Sequence, residues 1–122
     1  GAQAGDSLAA NSQNIAIGFS ALGNASDSDY VIAIGNNALD AVGSNSHAGD
    51  IAIGHDALTA CTSGGENLAI GFSALAAMTT GGNNIAIGYN AMVTANHADA
   101  DKILQSEIML LMLQVQIIQI KM

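Results

Sequence analysis

Asn83-Asn84-Ile85-Ala86-Ile87-Gly88-Tyr89-Asn90-Ala91-Met92 is the unit from which most of this chain is built, because close copies of it recur. Ile-Ala-Ile-Gly stands at Ile15–Gly18, Ile32–Gly35, Ile51–Gly54 and Ile85–Gly88, with Leu68–Gly71 as a conservative variant. The closing glycines Gly18, Gly35, Gly54, Gly71 and Gly88 follow one another at a near-constant interval, and Gly1 falls one interval before Gly18. Three positions after each of these glycines comes Ala4, Ala21, Ala38, Ala57, Ala74 or Ala91. Four after comes Leu22, Leu39, Leu58, Leu75 or Met92, with Gly5 the exception. A fixed period of this length marks a solenoid whose units bury their apolar faces only by stacking.

Each unit has a physical reading. Ile-Ala-Ile alternates, so it forms a short strand with both branched side chains on one face and a methyl on the other. The expected core is the isoleucine columns, Ile15, Ile17, Ile32, Ile34, Ile51, Ile53, Leu68, Ile70, Ile85 and Ile87, each row packed on the rows of neighbouring coils. On this basis Ile53→Ala or Ile70→Ala costs about 2–5 kcal/mol. The recurring Ala and Leu then supply a second, small-residue face for close approach of neighbouring chains. Gly18, Gly35, Gly54, Gly71 and Gly88 are corner residues, where the backbone turns tightly. Polar residues follow at Gln3, Ser20, Asn37, Asp56, Ser73 and Asn90, and Ser73–Met78 is a candidate for one helical turn. Four positions before the glycines, Asn14, Val31, Asp50, Asn67 and Asn84 form a mostly amide column suited to stacking along the axis. The fold class is therefore all-β: a parallel roll of about six 17–19-residue repeats over residues 1–102, rising about 4.8 Å per coil, with a C-terminal helical segment over 103–122.

Composition narrows the function. The chain has 122 residues, 50% of them hydrophobic, but only two Phe, two Tyr and no Trp or Pro. Charged residues are 10%, against roughly 25% in an ordinary globular domain. The net charge is −8, and Lys102 and Lys121 are the only cations. That excludes nucleic acid, whose binding needs several Lys or Arg to release counterions, and disfavours an anionic membrane surface. Cys61 is the only cysteine, so no intrachain disulfide forms.

The decapeptide at 83–92 and its siblings resemble the head repeats of YadA-type trimeric autotransporter adhesins, with their (Ser/Asn)-(Val/Ile)-Ala-Ile-Gly hallmark. The longer forms containing Thr79-Thr80-Gly81-Gly82-Asn83-Asn84 are similar to repeats in bacteriophage tail fibres. The resemblance covers residues 1–92, about three quarters of the chain. It implies a left-handed parallel β-roll, assembled as a homotrimer in a surface fibre that attaches to a host receptor or matrix component. The location implied is extracellular, on a fibre anchored in an outer membrane or on a virion. The unit here, from one corner glycine to the next, is longer than is typical of those adhesin heads. This departure makes a phage tail-fibre segment for host recognition the alternative.

Chemistry-bearing motifs are sparse. His47, His55 and His97 show no metal-ligand spacing, and no Cys pair accompanies them. His55, in the variable slot after Gly54, is expected to face solvent, an ion-binding histidine ring across a trimer axis being the alternative, and no metal or cofactor is expected. Acids such as Asp27, Asp40 and Glu66 fall in turns and lack the nonapeptide Gly-Gly-x-Gly-x-Asp pattern of calcium rolls. No nucleophile elbow or phosphate loop occurs, and Cys61 has no His and Asn framework, so an enzyme is not expected. Thr59, Thr62, Thr79, Thr80 and Thr94 are too irregular for an ice-binding face. Phe19, Phe72 and Tyr89 share the slot after the glycine; corner packing is the plainer role for them, and a ligand-contacting stripe is the alternative.

The composition changes after Lys102. Leu104, Ile108, Leu111, Val115, Ile118 and Met122 alternate at spacings of four and three, a coiled-coil seam. Leu110, Leu113, Ile117 and Ile120 add a second apolar row, while Gln105, Ser106, Glu107, Gln114, Gln116 and Gln119 argue against a transmembrane span and direct membrane insertion. A second origin fits the same residues. Lys102 to Leu113 can be encoded so that a one-base shift gives Asn-Ile-Ala-Ile-Gly-Asn-Asn-Ala-Leu-Asp-Ala, which after its first residue repeats Ile32–Ala41. The shifted Gly falls one period after Gly88, in phase with the array. Residues 103–122 are then an out-of-frame copy of one more repeat. Sequencing the encoding DNA checks this: codons compatible with the shifted frame are expected throughout Lys102–Leu113, and two or three incompatible ones overturn it.

Overall fold

The structure, a computed structural model, describes residues 1–8, 13–40, 47–93 and 107–122, and within the helix the side chains from residue 113 onward. Five three-residue strands, β1 (Ile15–Ile17), β2 (Ile32–Ile34), β3 (Ile51–Ile53), β4 (Leu68–Ile70) and β5 (Ile85–Ile87), form one parallel sheet in sequence order. Every pair is in register, Ile on Ile and Ala on Ala, with Leu68 in its column. The result is a β-solenoid of about four turns. Residues 1–8 stack against the first turn without a strand, through Gly5 N–H to Ala21 O (2.9 Å) and Ser20 N–H to Ala2 O (3.1 Å).

Hydrogen bonds between coils continue beyond the strands. Leu22, Leu39, Leu58 and Leu75 each donate a backbone N–H to Ala38, Ala57, Ala74 and Ala91 of the next coil, all at 2.9 Å. Between strand and leucine the chain turns by alternating left-handed residues. Ser20, Asn37, Asp56, Ser73 and Asn90 have φ of 52–56°, and Leu22, Leu39, Leu58, Leu75 and Met92 have φ of 48–54°. The first of each pair sits where a type II turn needs positive φ, and Ala38 N–H reaches back to Gly35 O at 3.4 Å. Gly5, with φ 64°, occupies the leucine slot and adopts the same backbone. Ser73–Met78 is therefore not a helical turn, because Ser73 and Leu75 at φ 55° and 54° cannot join a right-handed helix.

The facing of the strands is the reverse of the expected one. Ala33, Ala52, Ala69 and Ala86 are fully buried, and with Leu22, Leu39, Leu58 and Leu75 they fill the interior. Ile15, Ile17, Ile85 and Ile87 are exposed, and Ile32, Ile34, Ile51, Ile53, Leu68 and Ile70 are half-buried on the outer face. Alternation alone sets two faces but does not say which is inside. A coil of this length encloses a narrow section, and leucines from the opposite wall leave room only for a methyl from the sheet wall. The Ala and Leu columns are thus the core of the chain and not a surface for neighbouring chains.

The corner glycines behave as expected. Gly35 and Gly54 have φ of 137° and 139°. A Cβ on Gly54 would lie 2.6 Å from the carbonyl carbon of Gly71, and one on Gly35 2.6 Å from that of Gly54. Only glycine permits both the dihedral and the coil spacing.

The C-terminal segment contains α1 (Glu107–Lys121). Among the described side chains, Val115, Ile118 and Met122 of the seam and Leu113, Ile117 and Ile120 of the second row are all exposed. No helix among the described residues is long and apolar enough to cross a membrane. Leu104, Thr94, His97, Asp99 and Asp101 lie outside the described residues.

With the core located, Leu58→Ala is expected to cost about 2–5 kcal/mol, and Ile53→Ala, half-buried in the chain alone, about 1–2 kcal/mol. Asp56→Asn changes stability by about 0.5 kcal/mol or less. Urea unfolding of the three variants, at concentrations low enough to keep the chains apart, checks the order.

Candidate functional site

Two arrangements stand out, one on the outer surface and one inside. The outer one is the slot after the corner glycine. His55, Phe72 and Tyr89 stack on one another along the axis: His55 and Phe72 have centroids 5.1 Å apart at 12°, Phe72 and Tyr89 5.4 Å apart at 18°. Parallel strands place the same slot on the same line in each coil, so an aromatic there meets the next one flat. Of the three stripe residues read from sequence, Phe72 and Tyr89 come together, while Phe19 is two coils from His55, with Asn36 between. Asn36 Oδ1 accepts a hydrogen bond from the Phe19 N–H at 3.3 Å. His55 joins them from the same slot, although the sequence-derived stripe did not include it; its Nδ1 lies 2.9 Å from Asp56 Oδ2. Tyr89 and Phe19 are exposed, and the strand isoleucines continue the apolar surface beside them.

The inner arrangement grows out of the amide column. Asn84 donates its N–H and Nδ2 to Asn67 Oδ1 at 3.1 and 3.0 Å, and Asn67 donates its N–H and Nδ2 to Asp50 Oδ1 at 2.8 and 3.0 Å. Asn14 Oδ1 accepts from the Val31 N–H at 2.9 Å. The expected stacking is present, fully buried for Asp50 and Asn84 and nearly so for Asn67. In this column Asp50 differs, because a carboxylate has no proton to pass on. Its Oδ1 takes both bonds from Asn67, while Oδ2 has no hydrogen-bond partner.

His47 lies against that orphan oxygen. Its Nδ1 is 3.4 Å from Asp50 Oδ2, both side chains are fully buried, and neither ring nitrogen makes a hydrogen bond. Cys61 is the third member. The imidazole, carboxylate and thiol donor atoms all lie within 4.8 Å of one another. Cys61 Sγ also lies 3.5 Å from Ser63 O. Ser28, in the slot of His47 one coil earlier, is buried too, and its hydroxyl has no partner.

Electrostatics follow from burial. Desolvation pushes the Asp50 carboxyl above its usual range, against the lowering effects of His47 and the Asn67 N–H groups. The Cys61 thiol is pushed up to about 12, first by burial and then by the charge of Asp50. Such a thiol is neutral and inert toward electrophiles in water. The structure therefore brings together a His-Asp-Cys set that the spacing of these residues in sequence did not group. The available signal was the repeat alignment: Asp50 replaces Asn, Cys61 stands where Ala25 and Met78 face inward, and His47 falls within the longest unit, between Gly35 and Gly54.

Comparison with protein-family models, curated proteins and solved structures finds no match to this chain.

Because the folded thiol titrates near 12 and an unfolded one near 9.0, protonation of Cys61 favours the folded state. That contribution is complete below pH 9 and is lost as pH rises toward 12. In chelator, stability is expected to fall more steeply over this window in the wild type than in Cys61→Ala, as measured by urea unfolding at stepped pH.

Proposed function

We propose that the chain is a structural and binding module of a homotrimeric extracellular fibre that attaches to a host cell surface or matrix. The carrying observation is the outer sheet face. Two columns of β-branched or leucine side chains run the length of the roll on the outside, with Ile17 56% and Ile87 50% exposed. Continuous apolar stripes of this kind on a solenoid mark a surface made for another protein. Three copies packing these faces together would bury them, and β-branched rows stacked in register would interlock. The contact between chains is thus assigned to the isoleucines.

The repeat resemblance supports the same reading, and the long repeat unit keeps a phage tail-fibre segment as the alternative. The His55–Phe72–Tyr89 stack is the part of the surface offered to a receptor, since flat aromatic faces bind at low entropic cost. A net charge of −8 keeps such an apolar rod soluble. We assign the module no catalytic step: its mixed buried cluster has an unreactive thiol, and the repeat supplies no nucleophile–base pair.

Analytical ultracentrifugation is expected to give a trimer at micromolar concentration, and Ile53→Glu with Ile70→Glu a folded monomer. A stable wild-type monomer overturns the trimer. Binding to arrayed cell-surface glycans and matrix proteins, reduced by about tenfold or more in Phe72→Ala with Tyr89→Ala as for interface hot spots, checks the receptor surface.

A further inference from the structure

We propose that His47, Asp50 and Cys61 form a buried site for a divalent transition-metal ion, and that their donor set selects Zn²⁺. The proposal is independent of the fibre assignment. Three observations carry it. The first is convergence: one nitrogen, one oxygen and one sulfur donor within 4.8 Å of one another, with the His47–Asp50 pair already at 3.4 Å. Zinc bonds of about 2.0–2.3 Å in a tetrahedron put ligand atoms about 3.3–3.8 Å apart, so closing the set needs shifts of about an ångström.

The second is the lack of partners. Both ring nitrogens of the fully buried His47 and the Oδ2 of the fully buried Asp50 make no hydrogen bond. Buried polar atoms in folded proteins are normally satisfied, and orphans cost about 1–3 kcal/mol each. Of these, His47 Nδ1 and Asp50 Oδ2 face one another at 3.4 Å, as ligand atoms do around an ion.

The third is charge. A dication with one carboxylate, one thiolate and a neutral imidazole has no net charge, the condition under which ions are tolerated in an interior. Binding exchanges the Cys61 thiol proton for a sulfur–metal bond and releases that proton to solvent, with no change of oxidation state. The nearby cation also reverses the effect of burial on the thiol. Cu(I) would favour the sulfur and discard the carboxylate, and Mg²⁺ or Ca²⁺ would discard the thiolate; the mixed N, O, S set suits Zn²⁺.

The test is refolding of the full chain, in reductant, with Co²⁺ as the spectroscopic probe and Zn²⁺ as competitor. Adding the metal before refolding removes burial as a barrier to entry. A thiolate-to-cobalt charge-transfer band is expected, saturating at one cobalt per chain, bleached by Zn²⁺, with a zinc-dependent rise in Tm that a chelator reverses. Cys61→Ala abolishes the band. Asp50→Asn is the variant that keeps the fold, because asparagine restores the amide column to Asn67 and Asn84. It is expected to fold at least as stably as the metal-free wild type. Its metal affinity should fall by more than the roughly 10–100-fold that loss of an outer-shell partner costs. Absence of the band and of a zinc-dependent Tm shift in the folded wild type overturns the proposal, as does an unchanged band in Cys61→Ala or unchanged affinity in folded Asp50→Asn.

Discussion

In-register stacking of each residue on its counterpart one coil away governs everything else in this protein. The main-chain ladder holds successive coils at strand spacing, so any side chain in a slot must tolerate a near-copy of itself about 4.8 Å along the axis. Glycine satisfies this at Gly54, where a β-carbon would strike the carbonyl of Gly71. Alanine satisfies it on the inner face of the sheet, where Leu58 and Leu75 occupy the remaining width. Asparagine satisfies it inside because each amide both donates and accepts, and Asn67 and Asn84 pass hydrogen bonds along the column. The cost is backbone strain: left-handed Ser73 and Leu75 and their equivalents recur in each turn, at roughly 1–2 kcal/mol per residue. Bonds between coils and buried leucines offset it.

A column makes its exceptions informative. Val31 interrupts the amides without harm, because a branched apolar side chain needs no partner and Asn14 bonds to its backbone instead. Asp50 is different. It accepts from Asn67 but offers nothing in return, and its free oxygen is met by His47 and, nearby, by Cys61. Among the described residues, a roll whose slots are mostly uniform thus has acid, imidazole and thiol brought together inside it. The same uniformity organises the exterior, where His55, Phe72 and Tyr89 stack because they share a slot and the isoleucines run in two rows beside them.

The order of burial has a consequence for assembly. A slender roll whose interior holds alanine and leucine gains modest hydrophobic stabilisation of its own, and its larger branched residues remain on the outside. In the proposed trimer stability and association would be coupled, with the outer columns contributing fully only once another chain covers them. The helix Glu107–Lys121, whose apolar side chains from Leu113 onward are exposed on both rows, adds a second surface of the same character.

The period, the strands, their register and the corner glycines were legible in the residues alone, since a repeat of Ile-Ala-Ile-Gly at near-constant spacing admits one way of stacking like on like. So was the amide column, because Asn14, Asn67 and Asn84 share a slot. Which face of the strand lies inside was settled only in the folded chain. Alternation is symmetric in this respect, and only the width left by the opposing leucines selects alanine over isoleucine. The turn at Ser73–Met78 was likewise a matter of tertiary context, where two left-handed residues overrode good helix propensity. The cluster of His47, Asp50 and Cys61 was hidden for the same kind of reason: His47 and Asp50 are neighbours in sequence, three residues apart, but Cys61 joins them only because the chain winds round through strand and corner and brings its inward slot back beside them.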